Sequence, residues 1–158
     1  MVLPAQAGPG HQGAGEPVPG LDGEVAYWLA EVAPRVSWVF PPEIDRALER
    51  SPSLDIRIRA LAVASFHRAQ VQNIGDPLFG DLRALNALLN ARLALIPVAA
   101  ARVMQSDGTE RVQLSVALID TLGGRVVWFG AVAGDAGPVG GAAAAASAAR
   151  ALARRIAG

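Results

Sequence analysis

Cysteine is absent from the 158 residues, and so is lysine: all 14 basic side chains are arginine. The first absence removes disulfides, thiolate metal sites, a cysteine nucleophile and a lipid-bearing cysteine within this chain. It leaves the redox compartment open. Histidine occurs only at His11 and His67, with no H-x-x-x-H spacing, which argues against a zinc site. The 14 arginines balance 14 acidic residues, and only Arg154 and Arg155 adjoin. With no net charge and no basic patch, nothing in the composition calls for nucleic acid or an anionic membrane. No apolar run approaches the roughly 20 residues that span a bilayer; Leu93–Val103 is too short and carries Arg102. The opening MVLPAQAG lacks the charged and apolar regions of a signal peptide.

What is present suits one globular domain. Hydrophobic residues make up 52% of the chain, enough for a sizeable core, and the length fits a single unit. Residues 1–6 are a candidate first strand, and residues 7–23 read as a mobile Gly/Pro-rich loop with few apolar side chains to offset its ordering entropy. The main part of the domain is then residues 24–158. Asp22 is a candidate cap for a helix whose Val25, Trp28, Leu29 and Val32 share one face. Pro34 stops it. Val36–Phe40 is β-branched and aromatic and reads as a strand. Pro41-Pro42 opens a second helix with Ile44, Ala47 and Leu48 inside. Asp55 is a candidate cap for a third, over Ile58, Leu61, Ala62, Ser65, Phe66 and Ala69. Asp76-Pro77 starts a fourth, in which Leu78, Leu82, Leu85 and Leu89 recur to about Ala91.

From Leu93 the period changes to two. LALIPVAAARVM reads as a strand that Pro97 assigns to an edge or a bulge. Ser106–Thr109 is turn chemistry. Val112, Leu114, Val116 and Leu118 alternate with Gln113, Ser115, Ala117 and Ile119. Thr121–Gly124 is a hairpin turn, and Arg125–Ala133 is the returning strand. The tail, Gly134–Gly158, has a Gly-rich lead-in and then AAAAASAARALARRI, a helix by propensity with Arg150, Arg154 and Arg155 near its end. The expected fold class is α/β (α+β): a single-layer mixed sheet with a C-terminal three-strand antiparallel meander, and helices mainly on one face.

The stretch LSVALIDTLGGRVVWFGAV resembles a hairpin of bacterial envelope proteins: apolar strand, Asp-Thr, turn glycine, Val-Val-Trp, small residue. These include the curli-secretion channel lipoproteins, the penicillin-binding-protein activator lipoproteins and the N-terminal domain of the translocation protein TolB. VLPAQ, WVFPPEIDRAL and DPLFGDLRALNALLNARLALIPVAAARV resemble, in order, the first strand, the second strand with its helix, and the helix and strand before the meander. The resemblance implies a fold and a bacterial envelope or periplasmic setting, and supplies no catalytic residue. Those families carry an export signal, and often a lipid-bearing cysteine, upstream of the first strand. If Val2–Gln6 is a core strand, Met1 is then an internal start; as the sequence stands, the location is cytoplasmic.

The candidate chemistry is weighed against structural roles. Asp120 sits at a strand end beside Thr121, where Asp bonds turn amides. Trp28, Trp38 and Trp128 read as packing residues. Ser65 and His67 suggest a nucleophile and base, but there is no G-x-S-x-G elbow. Asp76 and Asp81 flank LFG, with Arg83 close, and fit a cap and an exposed carboxylate. Gly134–Gly141 (GDAGPVGG), between a strand and a helix, is the one stretch that suggests a phosphate loop, and it lacks the Lys-Ser/Thr of a P-loop. The Leu78–Leu89 stripe and the alanine helix read as core-facing. No residue is assigned a catalytic, cofactor-binding or metal role. The expectation is a non-enzymatic accessory or assembly domain of the bacterial cell envelope acting through an unidentified protein partner, without nucleic acid. The rival is a small-ligand or phosphate-binding enzyme domain using the Gly134–Gly141 loop.

Overall fold

The computed structural model describes residues 1–7, 18–67 and 71–158. The elements run α1 (Leu21–Val32), α2 (Pro41–Glu49), α3 (Leu78–Leu89), β1 (Leu93–Met104), β2 (Glu110–Asp120), β3 (Arg125–Ala133) and α4 (Ala142–Ala157). The three strands form an antiparallel sheet in the order β1-β2-β3, the meander that the alternation implied. Proline at 97 lacks the ladder hydrogen, and the β1–β2 register shifts between Pro97 and Ala99. The residues expected to turn the chain do so. Asp107 Oδ1 accepts from the Thr109 amide (2.9 Å) and hydroxyl (2.6 Å), and Gly108 has φ +80°.

The amino terminus lies beside β1 and runs parallel to it. Val2 bridges Leu95, and the amides of Leu3 and Gln6 donate to the carbonyls of Leu95 and Pro97, each at 2.9 Å. This parallel contact is an isolated bridge outside the sheet, whose three strands are all antiparallel, so the mixed sheet that was expected reduces to the meander. Val36–Phe40 forms no strand ladder; its backbone bond to the first segment is Val2 N to Val39 O, 2.8 Å. Composition favoured a strand there, but no second bridging bond is made.

The two sheet faces follow the period of two. Val112, Leu114 and Val116 point to one side, where α4 lies directly on β2 and β3 and α1 packs on α4. Alanine at 144, 145, 148, 149 and 153 lets α4 approach closely. At Gly134 the fit is tightest: a Cβ there would stand 2.4 Å from the Ala148 amide nitrogen. Ala94, Ile96, Ala117 and Ile119 point to the other side, into a second cluster with Ile44, Leu78, Leu82 and Leu85 from α2 and α3 and with Ile58, Leu61, Val63 and Phe66.

Three local expectations are corrected. The helix α1 begins at Leu21 with Gly20 at its cap, φ +79°. Asp22 instead accepts the Ala5 amide at 2.8 Å, tying α1 to the first segment. The loop placed at 7–23 therefore ends earlier, with Val18 and Leu21 fully buried; its residues 8–17 lie outside the described ones. The helix expected from Asp55 reduces to a 3-10 turn, Ala64–His67, with Ala69 outside the described residues. The cause is a side chain distant in sequence. Gln6, buried, donates from Nε2 to Ile58 O (2.8 Å) and accepts the Leu61 amide on Oε1 (2.9 Å). These are the peptide groups a helix would have needed. Finally α3 ends at Leu89, because Asn90 takes the left-handed conformation, φ 52°.

Candidate functional site

Asp120 is a structural anchor. At the end of β2 it receives Arg92 Nε on Oδ1 (3.3 Å) and Nη2 on Oδ2 (3.0 Å), and the Leu122 amide on Oδ1 (3.1 Å). The hydrogen bonds from Arg92, then that of Leu122, hold its carboxyl below the usual aspartate range. Thr121 adds two bonds to the carbonyl of Arg92, from its amide (2.9 Å) and hydroxyl (2.7 Å). The Asp-Thr pair thus fastens the β2–β3 turn to the start of β1, and Asp120 is committed as an acceptor.

The indoles pack. Trp128 lies against the α1/α4 cluster, its ring folded so that a Cβ on Gly130 would meet it at 2.7 Å. The Arg155 guanidinium stands 5.8 Å from the ring centroid. Trp28 carries Arg150 at 5.6 Å and Tyr27 edge-on at 5.3 Å. Trp38 stacks on Phe40 and donates Nε1 to Ala33 O at 3.1 Å. Ser65 and His67 are both exposed, on the short 3-10 turn. Asp76 Oδ1 accepts the Gly80 amide at 3.0 Å, a cap displaced by one residue because Pro77 follows. Burial, and then the charge of Asp76, raise the Asp81 carboxyl above its ordinary value. Among the described residues no three His, Asp or Glu side chains are placed to share a metal ion. No helix there is long and apolar enough to cross a membrane.

Five of the seven amides in the Gly134–Gly141 loop already donate within the fold, which leaves no cradle of adjacent amides for a phosphate. Gly134 N donates to Val112 O, Gly137 N to Glu110 O and Gly141 N to Pro138 O. Asp135 N donates to Ser147 Oγ at 2.8 Å, and Gly140 N to Glu110 Oε1 at 2.9 Å. Glu110 is buried and paired with Arg102, so a negative charge already occupies the loop's concave side. Sequence reasoning passed over Glu110; its place opposite Met104, one diagonal step across the strands from Arg102, was the one signal that could have marked the pair.

The open surface belongs to the sheet, apolar on its outer strands with Gln113 and Ser115 of β2 between them. On the second face, Ala101, Gln113 and Ala133 form one row across the strands, and Ala99, Ser115 and Ala131 the next. Ala101, Val103, Phe129, Ala131 and Ala133 are exposed there. Phe129 is 37% exposed with its ring 5.3 Å from Phe66, so it stands at the margin between the covered and uncovered halves. Beside it, Val71–Asn73 and Arg125–Phe129 line an open groove of about 580 Å³.

No family model matches the chain, and no curated protein matches it. Solved structures show a weak similarity along most of its length. A dodecameric PelC variant from Paraburkholderia phytofirmans is 17% identical, with 99% of this chain and 82% of that one covered, at a TM-score of 0.45. Lipoprotein GNA1162 from Neisseria meningitidis is 14% identical, with 99% and 95% covered, at a TM-score of 0.43.

Proposed function

We propose that this chain is a non-enzymatic accessory or assembly domain of the bacterial cell envelope, acting through protein contacts. One observation carries the protein-contact reading: the bare half of the sheet's second face, where Val103, Phe129 and the alanines of β1 and β3 meet solvent. Exposed apolar side chains set around a few polar ones, here Gln113 and Ser115, are the make-up of a protein-contact surface. The polar groups that suggested chemistry have structural partners, Asp120 in the Arg92 pair and Glu110 in the loop. The envelope setting is supported by the resemblance of the Asp120–Trp128 hairpin to envelope-protein hairpins.

The test uses the full-length gene product, tagged and expressed in its own bacterium, with a photo-crosslinking residue at Phe129 or, as a control, at Tyr27 on the outward side of α1. The expected result is recovery in the envelope fraction with protein adducts from position 129 and few from 27. Recovery in the cytoplasm, with position 129 giving no adduct, overturns the reading.

A further inference from the structure

We propose that the open half of the sheet's second face receives an apolar segment of another protein that carries a carboxylate, and that Arg111 is the group that takes it. The inference rests on the protein-contact reading and deepens it, by naming the chemistry of the partner and the residue that selects it. It is independent of location.

The register places the charge. Arg111 is opposite Val103, Gln113 is opposite Ala101 and Ala133, and Ser115 is opposite Ala99 and Ala131. Residues opposite one another in a sheet share a face, and alternate residues of one strand return to it. Arg111 therefore belongs to the second face, one row beyond Gln113 and away from the covered margin at Phe129. Ala101, Val103, Gln113, Ala131 and Ala133 on that face are exposed. Arg111 itself is half-buried, and its Nε is out of contact with solvent. Its stem thus lies along the sheet instead of reaching into water.

Arg111 is also the charge left over. Its Nε has no hydrogen-bond partner. Among the described residues the ion pairs are made by Arg59, Arg92, Arg102 and Arg150, and none by Arg111. The acids at this end of the sheet are engaged elsewhere. Asp107 accepts the amide and hydroxyl of Thr109. Glu110, on the opposite face, holds Arg102 and the Gly140 amide. Asp135 accepts the Ser147 hydroxyl and pairs with Arg150.

Charge complementarity fixes the occupant. Anything apolar that settles on these rows takes Arg111 out of water. That burial is costly without a counter-charge, and a carboxylate against the guanidinium offsets it through charge-assisted hydrogen bonds. A basic segment is repelled. A second copy of this chain is a poor occupant, because the rows of this face carry Arg111 and no acid, so two unpaired arginines would be buried together. The alanines at 99, 101, 131 and 133 supply contact area and Arg111 supplies selection, the division between complementarity and anchor found at protein interfaces.

The purified chain tests this with random short peptides displayed on phage. Selection against the wild-type chain is expected to enrich sequences in which Asp or Glu stands among apolar residues. Selection against Arg111→Glu is expected to enrich Lys or Arg at that place instead. The leading acidic peptide, synthesised and labelled, is expected to bind Arg111→Met about tenfold more weakly in fluorescence anisotropy. It is expected to bind Arg35→Met, beyond the end of α1, as it binds the wild type. Amide shifts on titrating the wild-type chain with this peptide are expected at 99–103, 111–115 and 131–133, a readout that needs no variant to fold. No acidic preference on the wild-type chain, undiminished binding to Arg111→Met with an unchanged circular dichroism spectrum, or shifts confined to another surface overturns the proposal. Protein adducts from Phe129 in cells that persist unchanged in Arg111→Glu sink this inference and leave the proposed function standing. Recovery in the cytoplasm without adducts, with the acidic selection intact, does the reverse.

Discussion

At the scale of single residues, the ionisable groups describe stability more than chemistry. The Met1 amino group is buried and donates to Leu93 O at 2.7 Å. Burial lowers it from 8.0 to about 6. The unfolded chain then binds this proton more readily than the folded one, so stability is full above pH 8 and falls as the pH drops toward 6. At 1.36 kcal/mol per unit, two units amount to about 2–3 kcal/mol. Urea unfolding between pH 5.5 and 8.5 should show this slope, and acetylating the amine should flatten it. The Arg92-held Asp120 carboxyl has the opposite charge type. It is depressed in the folded state, so its contribution is present above its ordinary value of 3.8 and is lost as acid falls through the lower folded value. Asp120→Ala should lower the urea midpoint more than Arg92→Ala, since only the former also strips the Leu122 amide of its partner. The acid limb below pH 4 should be shallower in both.

At the scale of elements, the strands and most helices were legible because one period dominates each of them. Val112–Leu118 alternates strictly, and Leu78–Leu89 keeps its leucines on one face. The helix expected over 58–69 was not legible as a loop, because the residue that claims its peptide groups, Gln6, lies 55 positions from Leu61. Val36–Phe40 has strand composition, but pairing depends on a neighbour that composition does not reveal. Glycines separate tight contact from turn geometry. Gly134→Ala would push a methyl into the α4 backbone and should cost about 2 kcal/mol or more, with packing strain the cause. Gly108→Ala meets open space and bears only the left-handed conformation, so a cost of about 1 kcal/mol is expected. Thermal unfolding of the two variants ranks them. Glu110→Ala leaves Arg102 without its carboxylate and the Gly140 amide without an acceptor. It should destabilise by about 3 kcal/mol, as removal of one partner from a largely buried pair does. Amide exchange at 134–141 should rise with it.

At the scale of the whole molecule, two apolar clusters lie on either side of one thin sheet, and all three tryptophans pack against the first of them. The clusters share no side chain, because alternate residues of β2 serve different sides. The candidate site was less legible than the fold. The bare half-face is built of alanines and a phenylalanine, whose composition does not separate burial from exposure, and it becomes visible only through the register of β1, β2 and β3. Gln6→Ala tests how the layers hold together. It leaves Ile58 O and Leu61 N unpaired in the interior and should cost about 2–4 kcal/mol. Exchange should accelerate in residues 56–63 and 1–6 together.

The placement of residues 1–6 against β1 also has a kinetic meaning. Met1 reaches Leu93 across 92 positions of chain, and the ordering of so long an intervening path is slow to be rewarded. The hairpins of β1, β2 and β3, joined by turns of a few residues, can close on their own timescale. The leading segment docks on a surface that exists only after β1 has formed, which makes its arrival a late step and its departure the first local opening when the protein is stressed.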